Sequence, residues 1–254
     1  MKSALTIAGS DPTGGAGLQA DLKVFRAFGV CGLSVPSVLT AQNTSGVEWI
    51  LPVERDFFIR QMDVLFKDIM PDALKTGMLF SAGIVEAVYG RIRDYSLKNL
   101  VVDPVTVSST GISLVDDGTL DKIMELLFPL SVVITPNIYE ASVLTGMNIE
   151  GESDMEEAAM RLKEMGPEVV VITGGHLERS TMDLYYDGSS FQRIEGLKIE
   201  GEYHGTGCAF SAAITASLAM GYTPLESVRR AKEFVTEAIR KAYRIGKGMG
   251  ILNI

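Results

Sequence analysis

Short, nearly continuous apolar runs alternate along the chain with longer stretches in which apolar positions recur every three or four residues. The runs Ala4–Gly9, Leu33–Leu39, Ala73–Thr76, Leu100–Val105, Val132–Thr135 and Val169–Thr173 predict strands buried on both faces. The stretches Leu18–Phe28, Arg55–Ile69, Ile84–Asp94, Asp116–Leu127 and Met155–Met165 predict amphipathic helices between them. Two more helices are expected over Thr206–Met220 and Leu225–Tyr243. This alternation predicts an α/β fold with a mostly parallel sheet and helices on both of its faces. One passage departs from it: Asp187-Gly188 separates two alternating runs between Asp183 and Glu195, which predicts a small antiparallel hairpin. The tail Gly246-Lys-Gly-Met-Gly250 reads as a glycine-rich loop or frayed end. With no low-complexity linker and no fixed-period repeat, residues 1–254 are expected to form a single domain.

Composition narrows the partners. In 254 residues, 23 Lys+Arg stand against 32 Asp+Glu, a net charge of −9. Such a chain lacks the broad positive field that non-specific nucleic-acid binding requires, so no nucleic-acid partner is expected. The longest uncharged run, between Glu202 and Glu226, carries His204, Thr206, Ser211, Thr215 and Ser217. It therefore reads as a buried core helix, not a membrane span. Two distant cysteines, Cys31 and Cys208, build neither a disulfide scaffold nor a C-x-x-C metal knuckle. Met1–Leu5 leads straight into a strand-like segment without a signal-peptide pattern, and a cytoplasmic location is expected.

Candidate chemistry gathers where predicted strands end, the place where open α/β sheets bind ligands. The first loop, Gly9-Ser-Asp-Pro-Thr-Gly-Gly-Ala-Gly17, has the glycines that let backbone approach a ligand at a helix start. Gly15-x-Gly17-x-x-Ala20 formally matches a dinucleotide fingerprint, but Val35–Gln42 lacks the acidic residue that reading needs. Asp21, one turn into the helix, either faces the ligand or complements the helix dipole. Thr40-Ala-Gln-Asn-Thr-Ser-Gly46 is either an amide-rich surface turn or a ligand contact; Gln42 donates and accepts at once, which suits a heteroaromatic ring. Asp103-Pro104-Val105 and Thr135-Pro-Asn-Ile-Tyr-Glu140 place acids at two further strand ends. There Asn137 and Glu140 serve as a helix cap or help hold hydrated Mg²⁺ near a triphosphate. In Thr173-Gly-Gly-His176 the histidine has no companion motif for metal binding and reads as a turn residue.

His204-Gly-Thr-Gly-Cys208 is the strongest signal. Two glycines around a threonine open a helix, so consecutive N–H groups face outward with the dipole behind them, a nest for a migrating phosphoryl group. Cys208 falls in the first turn, where a helix N-terminus is expected to lower a thiol's pKa, making it a candidate base or hydrogen-bond partner for a substrate hydroxyl. A small cysteine packed in a glycine-opened helix is the plainer alternative. No G-x-x-x-x-G-K-[ST] loop, G-x-S-x-G elbow or kinase H-R-D set accompanies it.

Taken in order, Ala8-Gly-Ser-Asp11, Gly14-Gly-Ala-Gly-Leu-Gln-Ala-Asp21, Thr40-Ala-Gln-Asn-Thr44, Asp103-Pro-Val105, Thr135-Pro-Asn-x-x-Glu140 and His204-Gly-Thr-Gly-Cys208 resemble the hydroxymethylpyrimidine/phosphomethylpyrimidine kinases, a branch of the ribokinase-like family. The resemblance spans essentially the whole chain. It implies a three-layer αβα sandwich and ATP- and Mg²⁺-dependent phosphorylation of a pyrimidine alcohol, then of its monophosphate, for thiamine synthesis. By position, it implies that Gly9, Asp21, Gln42, Met78 and Val105 line the pyrimidine pocket. It assigns nucleotide and phosphate contacts to Asn137, Glu140, Thr173 and Gly175, and Mg²⁺, through water, to Asp103 and Glu140. Gly205, Thr206 and Gly207 would form the anion hole beside Cys208. A homodimer is the expected assembly. A pyridoxine/pyridoxal kinase of the cysteine-containing type is the alternative, and a non-catalytic sensor of the same fold is a third reading. The chain departs from the family pattern at Thr173, where a lysine near the ATP phosphates is usual, at Ser108-Ser-Thr-Gly111 and at the terminal Asn253-Ile254.

Overall fold

The computed structural model describes residues 1–106, 114–116, 118–174 and 181–254. Its centre is a sheet whose strands are β1 (Ser3–Ser10), β2 (Cys31–Asn43), β3 (Gly46–Pro52), β4 (Ala73–Thr76), β5 (Leu100–Val102), β6 (Ser131–Ile134), β7 (Val169–Ile172), β8 (Asp183–Tyr186) and β9 (Phe191–Ile194). Among the described residues, these nine strands are ordered β3-β2-β1-β4-β5-β6-β7-β8-β9. From β2 to β7 neighbours run parallel, while β3 pairs antiparallel at one end and the β8–β9 hairpin continues the sheet at the other.

The sheet divides the interior into two cores. Leu5 and Ile7 of β1 face one way, toward α2 (Arg55–Phe66), α3 (Ala82–Asp94), α5 (Ile138–Thr145) and α6 (Glu152–Glu164). Ala4, on the other pleat, faces α1 (Gly17–Ala27), α7 (Thr206–Ala219) and α8 (Pro224–Arg240). Helix α7 is buried throughout Ala209–Ala219, because α1 and α8 cover the sides that the sheet leaves free. Its alanines and small polar residues permit that close approach. The short α4 (Thr119–Lys122) runs into a π-turn over Ile123–Leu127 and a 3₁₀ turn over Phe128–Leu130. The layered α/β architecture and the hairpin agree with the sequence pattern.

Boundaries differ where local chemistry intervenes. The fourth buried run, Leu100–Val105, stops as a strand at Val102, because Pro104 has no N–H to continue the ladder. Conversely, β2 outruns its apolar stretch to Asn43 by pairing with β3. The tail is not frayed. β11 (Gly250–Ile251) pairs in parallel with β10 (Tyr203–His204), and Ile251 and Leu252 are buried. Met249 N–H donates to Thr44 O at 3.1 Å, holding the glycine-rich stretch against the end of β2. The readings at Ser108–Gly111, Gly175 and His176 lie outside the described residues. Among the described residues, no helix is long and apolar enough to cross a membrane.

Candidate active site

The carboxyl ends of the parallel strands converge on the opening of α7. Gly205 caps that helix at φ +83°, a left-handed conformation natural to glycine. A Cβ there would lie 1.8 Å from Gly15 O, so only glycine lets the first loop and the helix opening touch. Ala209 N–H is the donor that bonds Gly205 O, at 2.9 Å. The N–H groups of Thr206, Gly207 and Cys208 therefore have no acceptor within the helix. Gly207 is exposed and Gly205, Thr206 and Cys208 are half-buried, so this amide cup is open at the surface of the fold.

Gly9, Met78 and Val105 meet beside it. Gly9 pairs opposite Val38 just after a register shift in the ladder, and a Cβ on it would sit 2.9 Å from Val38 and 3.3 Å from the Met78 sulfur. Val38, Met78 and Leu114, with Ile50, Phe80 and Val105 against them, form a small apolar cluster separate from the two cores. Gln42 closes the polar side. Its amide lies 3.1 Å from Thr40 Oγ1 and 3.1 Å from His204 Nε2, which in turn is 2.9 Å from Asp11 Oδ2.

Asp21 stands behind this wall, not on it. It is fully buried, with Oδ2 accepting from Thr6 Oγ1 at 2.6 Å and Oδ1 from Lys75 Nζ at 2.9 Å. In this arrangement it does not line the pocket, and its partner is a cation that sequence reasoning missed. Lys75 Nζ also donates to Ser211 Oγ at 2.8 Å and lies 3.9 Å from Asp103 Oδ2, to which Ser211 donates at 2.9 Å. Burial opposes its charge, but the flanking carboxylates dominate and hold Lys75 protonated, at about 12. A lone lysine in the strand Ala-Leu-Lys-Thr carried no motif; its only signal was a charge where the pattern demanded burial on both faces.

Cys208 corrects an expectation. Burial pushes its thiol up to about 12, although Lys75 favours the thiolate and Gly17 N–H donates to the sulfur; Asp21 and Asp103 add to the rise. At neutral pH it is a thiol, a group able to donate or accept a hydrogen bond and not a resting base. A loose phosphoryl transition state asks more for positioning than for early proton removal.

Asn137 and Glu140 do form the capping box: Glu140 N–H donates to Asn137 Oδ1, and Asn137 N–H to Glu140 Oε2, both at 2.9 Å. Capping does not exhaust them. Burial and the charge of Asp103 raise Glu140 to about 8, and burial also raises Asp103 despite Lys75. Among the described residues, the Thr106 and Thr135 hydroxyls at the same strand ends are buried without a hydrogen-bond partner. Two crowded carboxylates beside two orphaned hydroxyls fit a hydrated divalent cation with its phosphates. Among the described residues no group of three or more acidic, histidine or cysteine ligands is gathered to hold a metal ion. Thr173 joins this end through its N–H, which donates to Pro136 O at 2.9 Å. Nearby, Gly174 N–H donates to Asp183, which pairs with Lys232 at 2.9 Å.

A three-layer sandwich with an amide cup, an acidic pair and an apolar slot at the strand ends is the arrangement of a phosphotransferase acting on a small alcohol, and the relatives of this chain are ribokinase-like kinases. Residues 11–253 match the family model described as phosphomethylpyrimidine kinase, and the chain belongs to that family. It is 46% identical over 253 residues to the thiamine biosynthesis bifunctional protein ThiED of Geobacter sulfurreducens, covering 99% of this chain but only 52% of that protein. It is 43% identical to the hydroxymethylpyrimidine/phosphomethylpyrimidine kinase of Bacillus subtilis, covering 98% of this chain and 93% of the relative. Among solved structures, the ADP complex of Bacillus subtilis pyridoxal kinase superposes with a TM-score of 0.92 at 39% identity, over 100% of this chain and 97% of the other.

Proposed function

We propose that this chain transfers the γ-phosphoryl group of ATP to hydroxymethylpyrimidine and then to the resulting monophosphate, supplying the pyrimidine diphosphate of thiamine synthesis. The observation that carries the reading is the adjacency of the α7 amide cup to the Gly9–Met78–Val105 slot: a flat ring held in the slot presents its hydroxymethyl arm at the cup. Residues 1–254 act as one kinase domain in this reading, since one nine-stranded sheet runs from β1 to β9 and α7 packs against its strands.

Gln42 reads the ring's nitrogen and amino groups, while Met78 and Val105 cover its faces. The N–H groups of Thr206, Gly207 and Cys208, with the dipole of α7, receive negative charge that spreads over the migrating group. Cys208 sits beside the attacking hydroxyl and holds it in line, and Lys75 fixes Asp103 and the first turn of α7 through Ser211. Asn137, Glu140 and Thr173 lie on the nucleotide side. Mg²⁺, held through water by Asp103 and Glu140, would neutralise phosphate charge when bound. Asp21 supports Lys75. The protein is taken as cytoplasmic.

Self-association is part of the proposal. Trp49, Leu51 and Leu39 are 71%, 58% and 46% exposed on the β2–β3 edge and line an apolar depression of about 330 Å³. A homodimer would cover this patch.

Pyridoxal phosphorylation is a second reading, favoured by the close superposition on the Bacillus subtilis pyridoxal kinase. Incubation with ATP, Mg²⁺ and each alcohol, followed by phosphorus NMR of the products, separates the two. The proposal expects a pyrimidine monophosphate that proceeds to diphosphate; rapid pyridoxal phosphorylation with no pyrimidine product transfers the assignment to the second reading.

A further inference from the structure

His204 belongs to neither core, and the reaction as described gives it no task. Yet its ring is only 12% exposed and bridges the first loop to the end of β2. Nε2 lies 2.9 Å from Asp11 Oδ2 in the first loop and 3.1 Å from the Gln42 amide at the end of β2. The ring also packs on Gly15, where a Cβ would come within 2.8 Å of Cδ2. The next residue, Gly205, opens the phosphoryl cup.

Hydrogen-bond accounting fixes which way each group points. Asp11 accepts from Thr13 N–H at 2.9 Å, Thr13 Oγ1 at 2.9 Å and Ala16 N–H at 2.8 Å. Burial alone would raise its pKa, but these bonds and His204 outweigh burial and lower it, so Asp11 is a carboxylate. An anion at that distance demands the proton on His204 Nε2. The imidazole then donates, and the end of the Gln42 amide facing it must be the carbonyl. As placed, the amide oxygen faces Thr40 Oγ1 and the amide nitrogen faces His204; turning the amide over puts its NH₂ on Thr40 Oγ1, whose single hydrogen already goes to Ser10 O at 2.8 Å. In the turned sense every donor meets an acceptor, whereas the unturned amide sets N–H against N–H. One Gln42 N–H and one carbonyl lone pair remain for a ligand, in a fixed order.

We infer that His204, locked by Asp11, is a specificity-determining positioning residue: it sets the donor–acceptor order that Gln42 offers to the heteroaromatic ring, and ties that order to the adjoining phosphoryl cup. This rests on the pyrimidine-kinase reading and deepens it. An aminopyrimidine matches one order of donor and acceptor, while a pyridoxine ring presents a hydroxyl and a single ring nitrogen. Ring discrimination is thereby assigned to a residue that need not touch the ring.

The test measures kcat and KM for hydroxymethylpyrimidine and for pyridoxine in the wild type, His204→Phe, His204→Gln, Gln42→Ala and the Gln42→Ala/His204→Phe double variant. His204→Phe should lower the preference for the pyrimidine, as a ratio of kcat/KM, by about tenfold, the scale of one misdirected hydrogen bond. The loss should appear in KM for the ring substrate, with KM for ATP unchanged. His204→Gln, whose amide N–H reaches the place of Nε2, should keep the preference within about threefold. On the Gln42→Ala background, His204→Phe should add nothing to the ratio. Should His204→Phe fail to fold, His204→Gln and its double variant with Gln42→Ala decide the matter, with loss of preference in His204→Gln counting against the inference. An unchanged ratio in folded His204→Phe, or losses at the two positions that multiply independently, overturns the inference while leaving the kinase reading intact. A wild type with no pyrimidine turnover overturns that reading and this inference together.

Discussion

At the residue scale the site is governed by burial of charge. Lys75 holds two buried carboxylates, and each loses more from desolvation than a surface pair would. Cys208 shares that environment and stays a thiol. Alkylation at pH 8 should therefore modify the exposed Cys31 first and leave turnover intact; inactivation in step with the first equivalent of reagent would contradict this. Cys208→Ala should lower kcat by about 10²-fold, the scale for losing one positioned polar partner, with the unfolding midpoint unchanged. Equal turnover would return Cys208 to packing. For Glu140 the sign follows from its rise to about 8 from 4.5. The folded chain holds that proton more tightly, so its stabilising contribution is complete below about 4.5 and disappears as pH climbs through about 8. Urea titrations without nucleotide should register falling stability across this window, and Glu140→Gln should flatten the fall. An unaltered slope in that variant would contradict the assignment.

At the scale of elements, glycines at the two openings have different duties. Gly205→Ala meets Gly15 O and a left-handed φ, and should cost about 1–3 kcal/mol or more of stability. A Cβ on Gly207 meets nothing within 4 Å among the described residues, so Gly207→Ala should fold at least as stably while reducing kcat/KM for ATP. Thermal melts and kinetics on both variants check the contrast; equal destabilisation would contradict it. What the sequence made legible follows the same physics. Val169–Ile172 and Ser131–Ile134 announce themselves because strands buried on both faces need continuous apolar runs. β3 did not, because Trp49 and Leu51 face outward on an edge strand, and α5 showed only its cap at Asn137 and Glu140, because eight residues apolar on most sides carry no stripe. The glycine cup was readable from spacing alone. Lys75 and the place of Asp21 behind the pocket were not, since an ion pair across 54 residues leaves no local pattern.

On the scale of the whole molecule, the sheet collects residues far apart in sequence at the ends of its strands, and α7 brings the amide cup to them. The exposed β2–β3 edge lies beside that assembly through Gln42 and Thr44. Replacing Trp49 and Leu51 with Glu should halve the mass seen by sedimentation velocity, because charge in an apolar patch opposes burial. A wild type that sediments as a monomer would contradict the dimer. The central claim is that the alcohol, the cup and the thiol meet at one point. A crystal structure with hydroxymethylpyrimidine and a non-hydrolysable ATP analogue addresses it most directly. The account predicts the ring between Met78 and Val105, its amino face on Gln42, and the hydroxymethyl oxygen beside Cys208, in line with a γ-phosphate on the amides of Thr206 and Gly207. A ring bound elsewhere, or a γ-phosphate remote from the start of α7, would contradict it.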